Sequence, residues 1–71
     1  MENKKEKFAR IAENRTNKIL HMIDLLGNCS NKNVYEYTDK DVQKIFKAIE
    51  NRLFQAKSRF SNNSSSNRFK L

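Results

Sequence analysis

The apolar positions of this chain repeat with helical spacing in two separate stretches. In the first, Phe8, Ile11, Ala12, Ile19, Met22, Ile23 and Leu26 recur at three- and four-residue steps, which puts their side chains on one side of a helix. Arg15 and Thr16 interrupt this stripe, and the long stem of Arg15 can lie along it while the guanidinium reaches water. In the second, Val42, Ile45, Phe46, Ile49, Leu53, Ala56 and Phe60 form a narrower and more continuous stripe. The pattern predicts helices over about residues 3–26 and 39–60. Residues 1–60 thus read as a helical hairpin, and residues 61–71 as a Ser/Asn-rich tail.

The junction carries its own signals. Gly27, the chain's one glycine, follows the last periodic residue and is expected to close the first helix as a left-handed cap. Asn28 to Asn33 are short polar residues that favour turns. Thr38 stands where a hydroxyl caps a helix start, with Asp39 and Asp41 at the positive end of the dipole. Asp41 occupies the position at which Glu or Gln would complete a capping box.

The end of the first helix is unusual. Ile19, Leu20, Met22, Ile23, Leu25 and Leu26 leave only His21 and Asp24 polar, so this end needs more than one neighbour. Val34, Tyr35 or Tyr37 is expected to fold over it. Failing that, Ile19, Met22, Ile23, Leu26, Tyr35 and Tyr37 make an interface with a partner or a second copy. A 71-residue chain with two helices buries little of its own surface and usually needs a further stabiliser. Its single cysteine, Cys29, excludes an internal disulfide, and with one histidine it cannot build a zinc site. The fold expected is therefore all-α: a two-helix antiparallel hairpin that dimerises into a four-helix bundle.

Charge narrows the partners. Fifteen Lys+Arg against eight Asp+Glu give a net charge of +7, which favours polyanions. No apolar run approaches a membrane span, and the charged N-terminus does not read as a secretory signal. A cytoplasmic location is expected. Cys29 and His21 lack the orienting third group and the pocket that catalysis requires, so no catalytic residue, cofactor or metal is assigned.

Two basic surfaces stand out. After Glu50 there is no acidic residue, while Arg52, Lys57, Arg59, Arg68 and Lys70 follow with Phe54, Phe60 and Phe69 among them. Cations release counterions from phosphates, and exposed aromatics stack on bases. On the first helix Arg10, Asn14, Asn17, Lys18 and His21 line the polar side, with side chains able to read base edges. The alternative is a wet helix face, and the connection of about a dozen residues is longer than the tight turn of common DNA-reading helix pairs.

Arg10-Ile11-Ala12-Glu13-Asn14-Arg15, Leu25-Leu26-Gly27-Asn28, Ser30-Asn31, Tyr35-Glu36-Tyr37-Thr38 and Lys44-Ile45-Phe46 give residues 10–60 a pattern. It resembles small uncharacterised proteins of Gram-positive mobile genetic elements. The resemblance implies a plasmid, phage or integrative-element setting, where small basic proteins assist DNA handling, and it identifies no functional residues. The expected function is accessory binding of DNA or RNA. The alternatives are a protein-interaction module and, through Arg68-Phe69-Lys70-Leu71, membrane-surface attachment.

Overall fold

A computed structural model describes the backbone of residues 1–64 and side chains through residue 62. The regular structure of the described residues is helical throughout, with α1 spanning Lys4–Asn28, α2 spanning Asp39–Ser64, and no strand. The chain divides into two compact units, one from Met1 to Glu36 and one beginning at Tyr37.

In the first unit, α1 starts at a complete capping box. The Asn3 side chain accepts the Glu6 N–H at 2.7 Å, and the Glu6 carboxylate accepts the Asn3 N–H at 3.2 Å. This satisfies donors at a helix end where Lys4 and Lys5 are disfavoured by the dipole. The other end corrects an expectation, because the helix runs through Gly27 to Asn28 and is capped by Cys29 in the right-handed region. Cys29 N–H donates to Leu26 at 2.9 Å and Ser30 N–H to Gly27 at 3.1 Å, each three residues back. These tightened bonds satisfy the last carbonyls without a positive φ, so no left-handed glycine is required.

Asn31 organises the connection. Its side chain accepts the Asn33 N–H at 3.0 Å, and its carbonyl accepts those of Val34 and Tyr35 at 3.1 and 3.0 Å. Within the first unit neither expected lid residue is covered: Val34 stays exposed and Tyr35 is half-exposed, while Tyr37 belongs to the second unit and is partly buried. At the end of α1, Met22 keeps 61% of its surface and Ile23 43%. Of that end only Leu26 is partly buried.

The second unit begins with Thr38 and Asp41 in a reciprocal box and continues as α2. The helix passes Phe60, where the polar tail was expected to begin, and includes Ser61, Asn62, Asn63 and Ser64. Propagation adds one hydrogen bond per residue once a helix exists, and no glycine or proline interrupts it here. Val42 and Ile49 are partly buried, but among the described residues none is buried, so neither unit encloses a core of its own.

Candidate nucleic-acid interface

The two helices carry the same charge in different arrangements. Each has six cations and three carboxylates, a balance of six minus three, or +3. At ~100° per residue, Glu6, Glu13 and Asp24 of α1 fall in one row on its polar side, beside Asn17. The α2 carboxylates, Asp39, Asp41 and Glu50, lie on the flanks of its apolar row instead. The outer surface of α2 is left without an acid.

On α1, Asn14, Asn17, Lys18 and His21 do come together, with Met22, around a shallow open depression. Arg10 does not stand free above them. Its guanidinium donates to Glu2 through Nε at 2.7 Å and Nη2 at 3.0 Å, a two-pronged ion pair. The hydrogen bonds to Glu2 raise the Arg10 pKa from its ordinary value, and the carboxylate matches its charge. With Arg10 paired and an acidic row alongside, this face presents a mixed field.

On α2, Arg52 and Arg59 share a row one heptad apart, separated by ~10 Å of helix rise. Lys57 does not join them. It lies roughly 140–160° around the helix, in the row of Glu50. Phe54 is 71% exposed and lies off the apolar row, and its carbonyl accepts the Ser58 hydroxyl at 2.9 Å. Arg68 and Lys70, with Phe69 and Leu71, lie outside the described residues.

One row was not singled out by reading the sequence. Lys40, Lys44, Lys47, Asn51, Gln55, Ser58 and Asn62 line the outer side of α2, with Phe54 at the margin. All but Ser58, which is partly buried, are exposed. The signal was present in the intervals, which repeat the four- and three-residue rhythm of the apolar row half a turn away. Lys40, Lys44 and Lys47 make no ion pair among the described residues.

Ile19, Met22, Ile23 and Leu26 lie together on α1. With Leu20 and Leu25 they extend the apolar arc over about 220° of the circumference. Tyr35 stands on the connection after α1, and Tyr37 belongs to the second unit. Among the described residues no group of His, Cys, Asp or Glu could hold a metal ion, and no helix is long and apolar enough to cross a membrane. The Cys29 thiol is exposed, with its sulfur 4.0 Å from the Leu25 carbonyl.

No protein family, curated protein or solved structure matches this chain.

Proposed function

We propose that this protein is a non-enzymatic accessory factor that binds nucleic acid through α2. The observation that carries the reading is the exposed pair Arg52 and Arg59, beyond the last carboxylate of the helix and one heptad apart. Two guanidiniums in one row can neutralise phosphates of one strand, and binding of this kind is weakly sequence-specific and strongly salt-dependent. The mobile-element resemblance is consistent with such a role. The α1 and α2 apolar rows would pack antiparallel, and a second copy would cover what remains of the wide apolar arc of α1, giving a four-helix bundle.

Fluorescence anisotropy with labelled DNA and RNA, at low and physiological salt, tests the reading. Arg52→Ala with Arg59→Ala should weaken binding and flatten the log–log salt slope by about 1.4–1.8, with helical content unchanged. No binding by the unaltered chain at micromolar concentration in low salt sinks it.

A second reading has its own observation. The exposed arc of Ile19, Met22 and Ile23 suits a larger protein as a docking helix. A protein-interaction module then replaces the self-associating bundle, and a chain that stays monomeric and binds no nucleic acid favours it.

A further inference from the structure

The outer row of α2 combines three features that a solvated helix face has no need of together. Its lysines recur as Lys40, Lys44 and Lys47, on successive turns, where side chains are neighbours. Amides follow at Asn51, Gln55 and Asn62, able both to donate and to accept. At the margin of the row stands Phe54, an aromatic with 71% of its surface in water and no place in the apolar row. From Lys40 to Ser58 the row extends ~27 Å along the axis.

Resting on the reading that α2 binds nucleic acid, we infer that this row holds a single strand, with the three lysines on phosphates and Phe54 stacked on a base. The charge complementarity is direct: the row carries three cations and no carboxylate. The aromatic chooses between forms of nucleic acid. A ring on the outside of a straight helix can stack only on a base whose face is open, and duplex bases already cover each other's faces. An acidic protein or an anionic membrane would match the lysines, but would leave the exposed ring and the amide series without a use.

The experiment compares labelled oligo(dT) with a duplex of equal length, on the full chain. Lys40→Gln, Lys44→Gln and Lys47→Gln are combined in one variant, glutamine being as good a helix former as lysine. The log–log salt slope for oligo(dT) should fall by about 2, at about 0.7 per phosphate contact, with the helical circular dichroism retained. Phe54→Ala should weaken oligo(dT) binding about fivefold to a hundredfold while affecting duplex little. Phe54→Trp gives the chain its only tryptophan, and its emission should be quenched by oligo(dT).

Three outcomes overturn the inference. If the triple-lysine variant binds within twofold of the unaltered chain while the Arg52/Arg59 variant loses affinity, this row is not the site, though nucleic-acid binding stands. If duplex binds as tightly as oligo(dT) without quenching at residue 54, or poly-glutamate displaces oligo(dT) equally at matched charge, no base is stacked. If the unaltered chain binds neither oligonucleotide, this inference and the function it rests on fall together.

Discussion

Thr38 and Asp41 satisfy each other at the start of α2: the Asp41 N–H donates to the Thr38 hydroxyl at 3.1 Å, and the Thr38 N–H donates to the Asp41 carboxylate at 2.9 Å. Aspartate, one methylene shorter than the usual glutamate, closes the box completely. The Thr38 backbone N–H, then the Thr38 hydroxyl and the charge of Lys44, hold the Asp41 carboxyl below its ordinary value of 3.8. This fixes the sign of a pH effect. A carboxyl depressed in the folded helix adds stability above its ordinary value, and that stability is lost as pH falls through the lower, folded value. Helical circular dichroism should therefore drop as pH is taken below about 4, and Asp41→Asn should flatten that part of the curve. Thr38→Ala should destabilise α2 by ~1 kcal/mol at neutral pH, read from urea melts. An unchanged acid limb in the Asp41 variant would show that other carboxylates cause it.

Gly27 supplies a prediction whose sign separates two descriptions of the same turn. It lies inside α1, and a Cβ built on it meets no atom within 4 Å. Gly27→Ala should therefore stabilise the chain by about 0.5–1 kcal/mol, because alanine loses less backbone freedom on forming helix. Were Gly27 the left-handed cap its position suggests, the same change would destabilise. The shift in thermal midpoint decides between the two.

The helices and the apolar row of α2 were legible because periodicity reports directly on which side is apolar. Thr38 and Asp41 were legible as a start signal for a different reason: capping is local chemistry. Asn3 and Glu6 carry the equivalent spacing, but three residues from the start of the sequence they were not read as a cap. The extension of α2 through Ser61 to Ser64 was hidden because composition marks where a core ends, whereas a helix persists on its own backbone bonds. The site was the least legible part. Arg52, Lys57 and Arg59 are close along the chain, yet a helix sends Lys57 to the opposite flank. Lys40, Lys44 and Lys47, interleaved with apolar residues and acids, look mixed until they are placed by angle.

The pairing of Arg10 with Glu2 separates α1 from α2 as a binding surface. Because its charge is already matched, Arg10→Ala should change oligonucleotide affinity by less than about twofold, against a larger loss for Arg52→Ala. Glu2→Gln should strengthen binding in low salt by releasing Arg10, and the gain should disappear at physiological salt, where the Debye length is ≈ 8 Å. Anisotropy titrations at two salt concentrations read both. A large loss in Arg10→Ala would return the base-reading role to α1.

Self-association makes the strongest demand on the apolar end of α1. Ile23 is 43% exposed and lies within an arc too wide for one neighbouring helix. Burying an isoleucine side chain is worth about 1.5–3 kcal/mol, and a symmetric dimer holds it twice. Ile23→Asp should accordingly weaken dimerisation at least a hundredfold, at roughly 1.4 kcal/mol per factor of ten. Phe54→Ala, off the apolar rows, should leave it unchanged. Light scattering at two protein concentrations measures the mass, and the helical signal should itself rise with concentration if association stabilises the helices. A chain that remains monomeric, with a concentration-independent melt, would leave α1 as a docking helix for a different protein and would remove the second copy from the proposed bundle.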